Sequence, residues 1–318
     1  MKVALCFIIS YEHKLNKENL WINWIEKNKD IINVYFHYKN YNLIKSEWIK
    51  KHCIPPKLIQ KTTYYDVVPA YMSILSFAFE HDKDNKWFIL LTDSCVPIIS
   101  PEKFRYLFDK NYYNSIIRIR PSFWNIDIHQ RANLKYLNSI YHLTNDPWFL
   151  LTRNHVHKCM LFIAIKNNIY QLVISGGLAN ESIFAIILKS FNLVQVIKNN
   201  DDEKTKYEKN IYNLQHNIIN ELSTIADWTR MTNPTSPFLF KENNNENNVI
   251  IEDLIKTNKY SMFLRKVDTN FPDNIITSFY YKDYNYNYYY FYYYYFSKFY
   301  SSCKKYFTYF LTPFQFFS

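Results

Sequence analysis

Residues 65–108, YDVVPAYMSILSFAFEHDKDNKWFILLTDSCVPIISPEKFRYLF, constrain most strongly what this chain can fold into. Val68, Tyr71, Met72, Leu75 and Phe79 recur at helical spacing, so one face of that helix is apolar. A polar turn separates them from Trp87 to Leu91, a continuous apolar run of strand length that suits a parallel strand buried on both faces. The run stops at Thr92-Asp93-Ser94, and in an open α/β sheet ligands bind at the carboxyl ends of strands. Pro97 and Pro101 then break the backbone, and Ser100-Pro101-Glu102 reads as an N-cap with Pro at the first helical position. By itself the pattern is also that of an ordinary structural βα unit.

The flanking chain extends the same alternation. Lys2 to Ser10 predicts the first strand, Leu20, Trp21, Trp24 and Ile25 one face of a helix, and Ile31 to His37 a second strand, a βαβ opening that predicts a parallel sheet. Ile44 to His52 predicts a short helix, Ser115 to Ile119 and Trp148 to Thr152 strands, and Arg153 to Asn168 and Ile183 to Phe191 helices. Ser122 to Leu137 has no clean period and predicts an ordered loop with partial helix, and Leu254 to Val267 a last helix and strand. Residues 1–10 suit a first strand better than a signal peptide, because the apolar run is short and lacks a small-residue cleavage site. No run of apolar residues reaches the length of a membrane span.

With 48% hydrophobic residues the 318-residue chain can bury a core, and its formal charge of +10 favours acidic partners. The lysines are scattered among Asn, Ile and Tyr, so no basic stripe points to nucleic acid, and none is expected as a partner. Two adjacent glycines, Gly176 and Gly177, exclude the P-loop and the dinucleotide fingerprint, which need spaced glycines. Phosphate must then be held by Lys or Arg, or at a helix N-terminus. Five cysteines without CxxC spacing give no zinc site, and Cys6 and Cys95 read as buried thiols. From about Tyr280 a Tyr/Phe-rich low-complexity tail begins. It reads as disordered, as a segment at a membrane interface, or as the degenerate end of a reading frame.

Five segments resemble, in order, the core-2/I-branching β-1,6-N-acetylglucosaminyltransferase family, with its divergent branch-like and xylosyltransferase-related members. They are KVALCFIIS with VYFHYK; YDVVPAYMSILSFAFEHDKDNKWFILLTDSCVPIIS; PWFLLTRNHV; ANESIFAIIL; and STIADWTR before a Pro-rich turn. The resemblance implies a GT-A fold over residues 1–278, an α/β Rossmann-like mostly parallel sheet flanked by helices, with 279–318 as the tail. It also implies inverting transfer of a sugar, GlcNAc or xylose foremost, from a UDP-sugar to a hydroxyl of a glycan or glycoprotein acceptor. No metal or other cofactor is expected, because the family uses basic side chains at the leaving diphosphate.

By position in those motifs the resemblance makes Glu181 the general base, although a helix N-terminal Glu favoured by the macrodipole would look the same. Lys266, Lys241 and Arg265 are its implied diphosphate ligands, and Ser10, His13, His37 and Asp93 its donor-binding residues. Trp148, Arg153, Trp228 and Arg230 are implied on the acceptor side, with Arg230 also an alternative cation. Two positions depart from the family: Tyr38-Lys39 stands where it carries an acidic residue, and Asn180 replaces an Asp. They leave open a family-like binding domain without catalysis, alongside the weaker alternative of a basic nucleic-acid-binding module. A cytosol-like or membrane-peripheral setting, viral or microbial, is the expectation for location, with membrane contact through the aromatic tail.

Overall fold

In the computed structural model, which describes residues 1–196, 212–214, 217–231 and 236–282, successive side chains of the first strand enter opposite cores. Within β1 (Lys2–Ile8), Ala4 and Cys6 join one hydrophobic cluster, whereas Val3, Leu5 and Phe7 join another. This is the period of two expected of a strand covered on both faces. The opening continues through α1 (Glu18–Glu26) to β2 (Ile32–His37), which pairs parallel with β1. Trp21 and Trp24 of α1 are buried, and their indole N–H groups donate to the carbonyls of Cys95 and Ile99, both at 2.9 Å. Burying each indole with its donor satisfied fixes α1 over the connection that follows the third strand.

A short helix, α2 (Glu47–Lys51), precedes α3 (Val68–His81) and β3 (Asn85–Thr92), which runs parallel to β1. Phe88 and Leu90 of β3 face one core, and Trp87, Ile89 and Leu91 the other. The strand β4 (Val96–Pro97) leads into α4 (Pro101–Asn111), where Ser100 Oγ accepts the Lys103 N–H at 3.1 Å, the cap that the sequence predicts.

The stretch expected as one strand over 115–119 is divided. β5 (Ser115–Ile116) stays in the main sheet, and β6 (Ile119–Pro121) leaves it to pair antiparallel with β7 (Leu143–Asn145). The break falls at Arg118, whose carbonyl accepts the Asp146 N–H at 3.2 Å. Next come β8 (Leu150–Thr152), α5 (Arg153–Ile165), α6 (Asn167–Ile174) and α7 (Ile183–Ser190). The small strands β9 (Val194–Val196), β10 (Tyr212–Leu214), β11 (Ile218–Ile219) and β12 (Thr224–Ala226) follow. Three elements close the described chain: α8 (Asn245–Thr257), β13 (Phe263–Arg265) and α9 (Asp273–Ser278). Helix α8 begins nine residues before the predicted Leu254 because Asn244 caps it, accepting the Asn247 N–H at 2.8 Å.

The main sheet has the order β11-β5-β8-β3-β1-β2, and among the described residues β8 alone runs against its neighbours. It is the expected mostly parallel α/β sheet, with α3, α5 and α7 packed on one face and α1 and α4 on the other. Packing continues past the expected boundary at 278, since Phe279 is buried and Lys282 Nζ pairs with Glu252. The rest of the aromatic tail, residues 283–318, lies outside the described residues.

Two buried histidines make the fold acid-sensitive. His37 Nε2 accepts the Gln60 N–H at 3.0 Å, and His155 Nδ1 shares a 2.6 Å hydrogen bond with Ser115 Oγ. Burial, aided by Lys39 and Lys158 respectively, pushes both imidazoles down to about 4. The unfolded chain therefore binds more protons than the native one between the ordinary histidine value and about 4. Stability is expected to fall as pH drops through that window, by about 1–3 kcal/mol per residue. Urea midpoints measured from pH 7 to pH 4 check this, and a flat profile would contradict it.

Candidate active site

The carboxyl ends of β1 and β3 meet at Asp93. Its Oδ2 accepts the Ser10 N–H at 2.9 Å, so two residues expected at the donor are brought together. A third segment reaches the same place through the antiparallel pairing of β13 with β4, which sets Phe263 opposite Pro97 and Leu264 opposite Val96. Beyond that pairing the Val267 N–H donates to the Ser94 carbonyl at 2.9 Å. The basic pair Arg265-Lys266 is thereby delivered to the loop that follows β3. Arg265 Nη1 donates to Ser94 Oγ at 3.1 Å, and Lys266 Nζ to Ser236 Oγ at 2.6 Å. Burial and the neighbouring Arg265 hold the Lys266 ammonium below the usual lysine range, while Asp93 opposes them.

Aromatic side chains line the next stretch. The Arg265 guanidinium lies 4.4 Å from the Trp148 ring centroid, and Trp148 stacks on Trp228 with centroids 6.3 Å apart. Trp148 is 8% exposed and Trp228 41%, so the pair runs from the interior to solvent. Such a flat apolar edge beside cations suits a sugar ring.

Glu181 closes a 3₁₀ turn, Ala179–Glu181, just before α7. Asn145 of β7 holds that turn: its Nδ2 donates to the Asn180 carbonyl at 2.9 Å, and its Oδ1 accepts the Ala185 N–H at 3.1 Å. Burial raises the Glu181 carboxyl above the usual range; Arg131 and Arg120 pull it down, and Asp146 adds to the rise. Its ion pair with Arg131 is long, Nη1 to Oε2 at 3.4 Å. A partly buried carboxylate with a raised pKa and a loose partner is poised to accept a proton.

Sequence reasoning missed Arg118, Arg120, Arg131 and Asp146 as site residues. Arg118 Nε donates to Asp146 Oδ2 at 2.7 Å, and Arg120 Nη2 to Asp146 Oδ1 at 3.4 Å. The available signal was the alternation Arg118-Ile119-Arg120, which suggests both guanidiniums on one side of an extended stretch, and both do reach Asp146 although Arg118 precedes β6. The loop carrying Arg131 is seated against Gly176-Gly177 through the bridge Arg131↔Gly177. A Cβ on Gly176 would lie 2.4 Å from the Asn133 backbone nitrogen and 2.8 Å from the Gln130 carbonyl oxygen. Gly176→Ala is therefore expected to cost about 1–3 kcal/mol, and to weaken activity by displacing Arg131. A variant with wild-type melting temperature and wild-type turnover would contradict this seating.

Several expected residues already make contacts within the fold. His13 and His37 stand beside the strand ends, but each uses Nε2 to accept a backbone N–H, from Asn40 at 3.2 Å and Gln60 at 3.0 Å. Each thereby holds a loop with Nε2, which in the neutral ring leaves Nδ1 as an N–H donor. Arg153 is placed at the opposite end of the sheet. Its guanidinium donates to the carbonyls of Phe79 and Asp82 at the carboxyl end of α3, which a cation favours, and stacks 3.8 Å from the Phe79 ring. Arg230 is engaged by the buried Asp227 at 2.8 Å, by Glu246 and Asn247, and by the Phe238 ring, while its Nη2 is buried with no partner among the described residues. Lys241 is exposed, next to Phe240, whose N–H donates to the Lys266 carbonyl. Where the family carries an acidic residue, Tyr38 is buried with its hydroxyl unpartnered, and Lys39 Nζ sits 3.3 Å over the Tyr11 ring.

Among the described residues no group of three or more His, Cys, Asp and Glu could hold a metal ion, and no helix is long and apolar enough to cross a membrane. The charged loop with Asp201-Asp202 lies outside the described residues. A family description, Core-2/I-Branching enzyme, matches residues 5–246. A search of the curated proteins gives no match. Among solved structures, a 4-diphosphocytidyl-2C-methyl-D-erythritol synthase from Anaerococcus prevotii aligns at 12% identity and a TM-score of 0.31, covering 60% of this chain and 96% of its own. An overlap that loose bears on neither fold nor function.

Proposed function

Because the chain belongs to the core-2/I-branching enzyme family and is a glycosyltransferase, we propose that it moves GlcNAc or xylose from a UDP-sugar to an acceptor hydroxyl with inversion and without metal. The observations that support this reading are a partly buried Glu181, seated by Asn145 and loosely paired with Arg131, and a basic pair, Arg265-Lys266, delivered to the loop after β3 through Ser94 beside Asp93. In the transfer step the Glu181 carboxylate takes the acceptor hydroxyl proton as that oxygen attacks the anomeric carbon. The bond from the anomeric carbon to the diphosphate breaks on the far side, and UDP leaves with its electron pair. Lys266 and Arg265 meet the charge that develops there, in a partly dry site where fixed cations act more strongly than in water. Ser10 and Asp93 frame the donor end, and the Trp148–Trp228 stack supports the acceptor end.

Stereochemistry tests the reading. With an α-linked UDP-sugar as donor, NMR of the product is expected to show a β linkage from the first turnover. An α-linked product would exclude single displacement by an activated hydroxyl, and with it the role given to Glu181.

A further inference from the structure

On the acceptor side of Glu181, three guanidiniums face two carboxylates: Arg118 and Arg120 pair with Asp146, and Arg131 with Glu181. Only Arg118 is well engaged, at 2.7 Å; Arg120 and Arg131 each reach a carboxylate at 3.4 Å through a single nitrogen. The Arg120 Nε–H is buried and has no partner among the described residues. Both loosely held guanidiniums also rest on adjacent aromatic rings of one loop, Arg120 at 5.0 Å from Phe123 and Arg131 at 5.1 Å from Trp124. Planar donors held in this way, partly desolvated and not consumed by their ion pairs, are suited to taking a carboxylate.

Resting on the transferase reading above, we propose that the acceptor is an acidic saccharide, whose carboxylate is bound by Arg120 and Arg131 beside the hydroxyl that Glu181 deprotonates. A saccharide fits better than an acidic peptide because the two cations rest on the exposed Phe123 and half-buried Trp124 rings, flat faces of the kind that pack on a sugar, rather than along a groove with backbone partners. The chemistry reinforces the choice. Once Glu181 has taken the acceptor proton it is neutral, and three cations then face Asp146 alone. The acceptor carboxylate is therefore held more strongly in the transition state than in the ground state.

The test is equilibrium binding by calorimetry to the full chain with UDP present, which permits no turnover. The probes are matched saccharides that differ by one carboxylate: methyl glucuronide against methyl glucoside, methyl galacturonide against methyl galactoside, and sialyllactose against lactose. In at least one pair the acidic member is expected to bind about tenfold or more tightly. That preference should shrink as ionic strength rises from about 20 mM to about 300 mM. Arg120→Gln should remove most of the preference and leave the neutral member unchanged, whereas Arg120→Lys should retain part of it. The proposal is overturned if no acidic member exceeds its neutral twin, if the preference survives Arg120→Gln, or if an acidic peptide binds while the saccharides show no preference. Turnover with neutral acceptors alone would overturn this inference and leave the transferase reading standing. Selective acidic binding with no transfer from any UDP-sugar would do the reverse.

Discussion

Glu181→Gln is expected to lower kcat by about 10²–10⁴-fold, the range for removal of a general base, with little change in the affinity for UDP. The amide preserves the shape of the side chain and its contact with Arg131 but cannot take a proton. The same substitution should raise stability at neutral pH. Burial lifts the native-state pKa of Glu181 above its unfolded value, so the folded protein binds the proton more readily than the unfolded chain. Its contribution is favourable below the unfolded pKa and is lost as pH rises through the folded pKa. At pH 7 the native state carries that penalty and Glu181→Gln relieves it; at acid pH the two proteins should converge. A variant that is inactive and also less stable at pH 7 would mark Glu181 as a structural residue. Wild-type kcat/KM should rise with pH along an acid limb set by Glu181, above the usual carboxylate range. It should fall along an alkaline limb set by Lys266, below the usual lysine range.

Lys266→Ala carries the second large effect, a loss of about 10²–10³-fold in kcat, comparable to removing one fixed donor from a developing anion. Arg265→Ala should fall in the same range. It should also weaken acceptor binding, because the guanidinium holds the Trp148 ring as well as Ser94. If the two cations act on one diphosphate, the double variant should lose less than the product of the two single losses. Fully multiplicative losses would place them on separate groups. Steady-state kinetics on the four proteins settle which holds.

Much of the frame was legible because it follows from local rules. The Ser100 cap with Pro101, the two-sided burial of β3 and the βαβ opening each depend on residues within a few positions of one another. The positions of the strand ends were legible for the same reason, and Asp93 and Ser10 do meet. What the sequence hid are contacts made at long range. Lys266 approaches Asp93 because β13 pairs with β4 across more than 160 residues, a pairing with no local signature. The resemblance implied Arg153 on the acceptor side, but β8 runs antiparallel and carries it to the opposite end of the sheet. Arg118 and Arg120 meet Asp146 because the stretch predicted as one strand breaks at Arg118 and leaves the main sheet for the β6–β7 ribbon, a departure with no local signature. His13 and His37 are in the expected places, and only the hydrogen bonds reveal that one nitrogen of each ring, Nε2, already accepts a backbone N–H.

The most direct test of the central claim is UDP release by the full chain, with UDP-GlcNAc and UDP-xylose as donors, in the presence and absence of EDTA and repeated with Glu181→Gln. The account predicts release that survives EDTA and drops by about 10²-fold or more in the variant. Release abolished by EDTA would contradict the role given to Lys266 and Arg265, and undiminished release by Glu181→Gln would contradict the role given to the carboxylate.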